Sequence, residues 1–403
     1  MKPNKQGVSF ATIVALSCLS HVATAQTVRQ LSHAEGRALL EQFSREFDTA
    51  EAWNDRAERV RRGILRGMRL DLTRDRTLLR PIIHSRRVFD GYSVENVAFE
   101  SFPGFFVTGN LYRPPRRAAD SDGSHAGILC PHGHFASREG QPGGRFRSDM
   151  QIRCATLARM GAVVLAYDMI GWGESTQMNH RDPFALTLQT WNSIRGVDFL
   201  SSLPEVDAER IGVTGASGGG TQSFLLAALD KRVRVSIPVV MVSAHFFGGC
   251  NCESGLPIHK SDLHQTNNAD IAALAAPRPQ LLISVTWRGP ANARRKDQSC
   301  NTPELEYPYL RRVYGLLGAE DKVENLHLPD EGHDYGYSKR LGAYRFFARH
   351  LNLNLSVVSQ TGRVDESFVR ILAEHKLHIW DKTHARPGHA LQGAATIEAA
   401  FWH

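Results

Sequence analysis

The sequence predicts an α/β protein with a mostly parallel central sheet, an antiparallel hairpin at its start and helices on both faces. Three observations carry this expectation. Short runs rich in Val, Ile and Leu recur at 127–130, 162–166, 211–213, 235–240, 280–285 and 323–328. Helical stretches separate them near 151–159, 186–203, 221–228 and 304–317, with a last one at 339–351. Two further strand-like runs, 94–101 and 106–112, flank Pro103-Gly104, which is a hairpin signal. Apolar strands that alternate with helices are parallel strands buried on both faces.

Taken in chain order, the first element is a segment to be removed before folding is considered. Lys2 and Lys5 precede an apolar stretch from 8 to 19, and Ala23-Thr24-Ala25 offers small residues for cleavage, so 1–25 reads as a secretory signal and the mature chain begins at Gln26. Residues 26–90 read as an N-terminal helical segment. Between Arg56 and Arg87 it carries eleven Arg against Glu58, Asp71 and Asp75. Val60, Ile64, Met68 and Leu72 recur every four residues, which predicts an amphipathic helix with an Arg-rich outer face. The formal charge of +7 concentrates here, but no nucleic-acid reading motif accompanies it, so a nucleic-acid partner is not expected. No later apolar run reaches the roughly 20 residues of a membrane span. The α/β body occupies 91–355, and 356–403 is a polar C-terminal extension without a readable pattern.

The chemistry centres on Arg210-Ile-Gly-Val-Thr-Gly-Ala-Ser-Gly-Gly-Gly-Thr-Gln222, where a buried strand runs through Ser217 into an Ala- and Leu-rich helix. So sharp a strand-turn-helix passage leaves no room for side chains two residues either side of the serine, which explains Gly215 and Gly219. Ser217 is the expected nucleophile, and the amide of Gly218 points where an oxyanion would form. A base is expected after the last strand, and His333 stands there in Leu328-Pro-Asp-Glu-Gly-His333. The acid that orients it need only be a carboxylate on a nearby loop. Asp297, after the strand at 280–285, is the expected acid, with Glu253 as its rival; Glu304 and Glu306 are expected to open a helix behind Pro303. The second oxyanion amide is expected from His134 in Pro131-His-Gly-His134.

Five cysteines follow the signal: Cys130, Cys154, Cys250, Cys252 and Cys300. The first two lie in apolar runs and read as buried thiols. Cys250 and Cys252 share a loop, 243–278, with His245, Glu253, His259 and His264. Their spacing matches no familiar zinc pattern and no paired Cys or His motif lies opposite, so no metal and no cofactor are expected; a disulfide from one of them to Cys300 is the alternative. The loop leaves a strand at the edge where open α/β sheets bind ligands, so Phe246 and Phe247, with Trp172 and Trp287, are candidate pocket aromatics.

These motifs together, Pro131-His-Gly-His134, Asp168-Met-Ile-Gly-Trp-Gly-Glu-Ser175, Gly215-Ala-Ser-Gly-Gly-Gly-Thr-Gln222, Asn301-Thr-Pro303 with Glu306-Tyr-Pro308, and Glu331-Gly-His333, resemble the α/β-hydrolases. Within them the chain is similar to the secreted branch related to acetylxylan esterases and dienelactone hydrolases, over roughly residues 90 to 352. The resemblance implies an exported, cofactor-free serine hydrolase of carboxylic esters, acting on an acyl or methyl ester of a polysaccharide. It also implies that Asp168 and the residues after it form a structural turn. The stretch 286–299 departs from the family's short acid-bearing turn in being longer and more basic. A serine peptidase of the prolyl-oligopeptidase kind shares the architecture, but about 65 residues ahead of the hairpin cannot build a propeller of about 40 residues per blade. A non-catalytic binding protein of hydrolase fold is the third reading. The natural ester and the oligomeric state are not legible.

Overall fold

A computed structural model describes residues 30–115, 125–135, 142–254, 256–289, 295–360 and 362–402. The expected signal, 1–25, lies outside them. Helices α1 (His33–Ser44) and α2 (Ala50–Met68) come first. The sheet strands are β1 (Ile82–Phe89), β2 (Tyr92–Phe102), β3 (Phe105–Arg113), β4 (His125–Pro131), β5 (Ala162–Tyr167), β6 (Val206–Ala216), β7 (Val233–Val239), β8 (Gln280–Val285) and β9 (Val323–Leu328). Between them run α3 (Ser148–Arg159), α4 (Ala185–Ser202), α5 (Gly218–Leu229), α6 (Asn251–Ser254), α7 (Asn268–Ala273) and α8 (Tyr307–Leu316), and α9 (Tyr337–Leu351) follows the last strand.

The nine strands form one sheet in the order β1-β2-β3-β5-β4-β6-β7-β8-β9. From β5 to β9 every neighbouring pair is parallel, whereas β1, β2 and β3 pair antiparallel with one another and β3 pairs antiparallel with β5. The parallel strands carry side chains to two separate cores. Val163, Leu165 and Tyr167 of β5 join one core with α2, α4 and α5, while Val164 and Ala166 join the other with α3 and α9. A period of two between equally apolar faces is what a strand covered on both sides requires. The predicted fold class is therefore the observed one.

Three regions differ in detail from the sequence expectation. Helix α2 buries Trp53, Val60, Ile64 and Met68, but Arg69 turns left-handed (φ 53°) and ends the helix before Leu72. Its arginines do not all face outward: Arg56 is buried, donating to Asp270 at 2.7 Å and to Glu46 at 2.7 Å. Second, the segment 26–90 is not wholly helical, because β1 adds a third antiparallel strand ahead of the hairpin. Third, the extension 356–403 is bound to the body. It holds a short ribbon, β10 (Ser359–Gln360) with β11 (Arg363–Val364), and helices α10 (Glu374–Leu377) and α11 (Ala394–Trp402). Phe401 of α11 is buried edge-on to Phe102, Phe184 and Trp191.

Candidate active site

Ser217 sits between β6 and α5 at φ 57° and ψ −124°, a region that residues with a Cβ rarely adopt. Such strain persists only where the surroundings enforce it, and here the enforcement is steric. A Cβ on Gly215 would lie 2.4 Å from the Pro131 carbonyl oxygen and 2.6 Å from that of Gly219; one on Gly219 would lie 2.4 Å from the same Pro131 oxygen. Strand β4, its following loop and α5 are thus pressed together by glycine. Gly218 is the first residue of α5, so its amide is among the N–H groups that a helix leaves without an internal partner. The loop carrying His134 passes directly over the turn, since a Cβ on Gly133 would meet Ser217 Cβ at 2.9 Å.

His132 fastens that loop. Its Nε2 accepts from the Met169 amide at 3.0 Å, so Nδ1 carries the proton and donates to the Gly133 carbonyl at 2.9 Å. Burial pushes its pKa down to about 4, which keeps the imidazole neutral in that role. Asp168 accepts from Thr108 Oγ1 at 2.7 Å, from the Glu174 amide at 3.0 Å and from the buried Arg145 guanidinium at 2.8 Å. The Asp168–Ser175 turn is therefore structural, as expected. It also presents Trp172 edge-on to His132, His134 and His180.

His333 follows β9 and Asp297 follows β8, both at the C-terminal edge where Ser217 ends β6. His333 Nδ1 lies 2.6 Å from Asp297 Oδ2, and the Asp297 side chain is fully shielded. The other oxygen of Asp297 accepts from the amide and hydroxyl of Ser299 at 2.9 and 2.7 Å. With Nδ1–H directed at the carboxylate, Nε2 is left with a lone pair, and it has no hydrogen-bond partner among the described residues. The loop that bears His333 is braced from below: Lys339, whose side chain is buried, pairs with Glu331 at 2.8 Å and Asp334 at 2.8 Å.

The described residues at the two ends of the basic stretch after β8 pair with one another. Asp297 N bonds to Thr286 O at 3.0 Å and Arg288 N to Arg295 O at 2.9 Å, with a bridge between Trp287 and Lys296. Thr286 and Asp297 stand at the base of this stretch, so the extra length leaves Asp297 where a short turn would have put it. Arg288, Arg295 and Lys296 are exposed on it, and the Arg288 carbonyl accepts from the His333 amide at 3.3 Å.

The rival acid has a different neighbour. Glu253 Oε2 accepts from the Gly249 amide at 2.6 Å, and Oε1 lies 3.8 Å from His134 Nδ1; burial pushes its pKa up. Glu304 and Glu306 lie in the helical turn Thr302–Glu306 that leads into α8, as expected behind Pro303; Glu306 is buried there, accepting from the Ala244 amide at 2.9 Å, and burial raises its pKa to about 7. Cys130 and Cys154 are buried free thiols as expected, but Cys250 is bonded to Cys252 and Cys300 is free. A two-residue separation already brings the two sulfurs together, with Cα atoms 5.4 Å apart, so no distant partner is needed. The paired histidines that the sequence does not set opposite Cys250 and Cys252 are present in space: His134 and His180, from two other loops, converge on both sulfurs. The recess beside Ser217 is lined by Gly133, His134, Trp172, His180, Gly218 and Cys252; Phe247 instead stacks on His259, and Phe246 packs against the core. A larger surface cavity of about 660 Å³ lies at the opposite edge, against the start of β9.

Comparison with known proteins fits this architecture. The solved structure of the methylesterase BT1017 superposes with a TM-score of 0.81 at 39% sequence identity, covering 92% of this chain and 79% of that one. The chain belongs to the α/β-hydrolase-type esterases. A family model described as glucuronyl esterase, fungi, matches residues 178–252 of this α/β-hydrolase. The acetyl esterase Axe7A of Xylanibacter ruminicola is 25% identical over 32% of the chain and 31% of its own length. An uncharacterized protein of Pseudomonas aeruginosa is 32% identical over 36% of each chain. The hydrolase thus spans about a third of the length of these curated relatives. A glucuronoyl esterase from Solibacter usitatus, at 15% identity and a TM-score of 0.52 over 75% of the chain, shares the fold.

Proposed function

We propose that the chain is a serine carboxylic-ester hydrolase whose substrate is a methyl ester on an acidic, uronate-containing polysaccharide. The observation that carries the reaction is the His333–Asp297 pair, with its unpartnered Nε2, at the sheet edge where Ser217 is held in a strained turn. Ser217 Oγ attacks the ester carbonyl while His333 Nε2 takes its proton. The negative oxygen of the tetrahedral adduct rests on the amides of Gly218 and His134, aided by the positive end of α5. His333 returns the proton to the departing alkoxide, which leaves as methanol. Water, deprotonated by the same nitrogen, then attacks the acyl-enzyme and frees Ser217 and the carboxylic acid. The mechanism uses no metal-bound water.

The choice of ester rests on charge and likeness. Arg288, Arg295 and Lys296 put positive charge beside His333, which suits a polymer whose neighbouring units are free carboxylates better than neutral acetylated xylan. The name methylesterase borne by the relative at 39% identity points the same way. Methanol release from a partly methyl-esterified polyuronate, measured beside acetate release from acetylated xylan, tests the reading, and faster turnover of the xylan would overturn it. Arg288→Ala combined with Arg295→Ala should raise KM on the polyuronate about 5- to 10-fold at low salt, on the order of 1 kcal/mol, and leave p-nitrophenyl acetate hydrolysis unchanged. Equal KM values for variant and parent would remove the charge argument.

The same reading has the protein exported, since its substrate polymer lies outside the cell and residues 1–25 have the order of a signal. The intact mass of the chain recovered from an expressing culture should correspond to a start at Gln26; a chain retaining Met1 would count against export.

A further inference from the structure

Four soft or borderline donor atoms meet beside the nucleophile turn without a part in the ester chemistry. Nε2 of His134 lies 3.2 Å from Cys250 Sγ and 3.1 Å from Cys252 Sγ; Nε2 of His180 lies 3.5 and 3.4 Å from the same two sulfurs. The two Nε2 atoms are 2.8 Å apart. His180 Nδ1 is 2.8 Å from the Ile170 carbonyl, which can only accept, so its proton sits on Nδ1 and Nε2 presents a lone pair. His134 Nδ1 faces the Glu253 carboxylate at 3.8 Å, the arrangement that turns the opposite nitrogen of an imidazole toward a metal. Trp172 covers both rings edge-on, which thins the water around them.

We propose that, with its cysteines reduced, the chain binds one zinc-class divalent cation through His134, His180, Cys250 and Cys252. The ligand set is two imidazoles and two thiolates, which suits tetrahedral zinc. At tetrahedral angles, Zn–N of about 2.0–2.1 Å and Zn–S of about 2.3 Å place a nitrogen and a sulfur about 3.6 Å apart and two nitrogens about 3.4 Å apart. The four nitrogen-to-sulfur distances are already within about half an ångström of that figure. The remaining adjustment is for the imidazoles to part slightly and for the two sulfurs to separate.

That separation is a redox step. In the structure Cys250 and Cys252 are joined by a disulfide. A dithiol or phosphine reductant supplies two electrons, water or the thiol supplies two protons, and the S–S bond becomes two S–H groups. Zn²⁺ then displaces both thiol protons to solvent, forming two Zn–S and two Zn–N bonds at a centre of no net charge. Oxidised and metal-bound forms are therefore mutually exclusive. All four positions are taken by protein, so no metal-bound water is formed and the ion is structural. What it joins gives it consequence: the loop with the His134 amide, the turn with Trp172 and His180, and the loop that follows β7. The cation would hold a candidate oxyanion amide in register with Ser217.

The test uses the full chain reduced with a phosphine, incubated with a small excess of Zn²⁺ and freed of unbound metal by gel filtration. One zinc per chain is expected, with an X-ray absorption spectrum fitted by two sulfurs and two nitrogens. Replacing Zn²⁺ with Co²⁺ should give the thiolate-to-cobalt charge-transfer absorption of a tetrahedral site. His180→Ala and Cys250→Ser should lose the metal, and the air-oxidised chain should bind none. If either variant fails to fold, the cobalt spectrum of the parent still decides. Reduced parent chain that retains no metal, a cobalt spectrum lacking the thiolate band, or full zinc retention by Cys250→Ser would each overturn the proposal, leaving the pair a disulfide only. None of these measurements depends on ester hydrolysis, so the metal site and the serine mechanism stand or fall separately.

Discussion

Replacing Ser217 with alanine should lower ester turnover by at least about 10⁴-fold while leaving the fold intact. The serine contributes one oxygen at a turn whose geometry is imposed by Gly215, Gly219 and the Pro131 carbonyl, none of which alanine disturbs. Alanine inherits the same strained backbone at φ 57°, so its melting temperature should match the parent's. Glycine at this position should be equally inactive but more stable, because the strain of roughly 1–2 kcal/mol disappears. In a chain of this size that corresponds to a rise of about 1–2 °C in Tm. Turnover of a short acyl ester by Ser217→Ala at a rate near the parent's would end the serine mechanism. A lower Tm for Ser217→Gly would mean that the turn is not strained in the way its dihedral angles indicate.

What could be read from the sequence, and what could not, divides along the range of the interactions. That Ser217, Asp297 and His333 lie at one edge of the sheet was legible from their positions after strands β6, β8 and β9, a local property that survives without coordinates. Strand β1 escaped because Arg86-Arg87 lie in the middle of Ile82–Phe89 and continue the charge pattern of the preceding helix; only pairing with β2 makes it a strand. The C-terminal extension escaped for a related reason. Its attachment consists of main-chain groups meeting side chains far away, such as Leu377 O with Asn110 and the amides of Ile379 and Trp380 with Glu174. A polar sequence says nothing about where such groups will dock. The histidine and cysteine cluster is the clearest case: His134 and Cys250 are 116 residues apart, and no spacing rule joins ligands drawn from three separate loops.

The two carboxylates separate most sharply on the imidazole they face. Asp297→Asn should lower kcat by about 10³- to 10⁴-fold with an unchanged fold, and Glu253→Gln by no more than a few-fold. The reason lies in how Asp297 is held. Its Oδ1 accepts two hydrogen bonds from Ser299, so an asparagine there keeps its carbonyl oxygen on that side and places its NH₂ toward His333. A donor facing Nδ1 stabilises the tautomer with the proton on Nε2. That tautomer cannot accept the Ser217 proton, so the base is lost although every atom is near its original place. Glu253 meets no such requirement. One of its oxygens accepts from the Gly249 amide at 2.6 Å, a role that the glutamine carbonyl can keep, and the other stands 3.8 Å from His134. Burial already pushes the Glu253 carboxyl toward its neutral form, so a neutral isostere costs little. Should the losses come out in the opposite order, with both variants melting like the parent, the orienting acid would be Glu253 and the His333–Asp297 contact at 2.6 Å would be a structural hydrogen bond. Small losses for both would mean that His333 keeps its tautomer without either carboxylate, and the base would have to be sought elsewhere at this edge of the sheet.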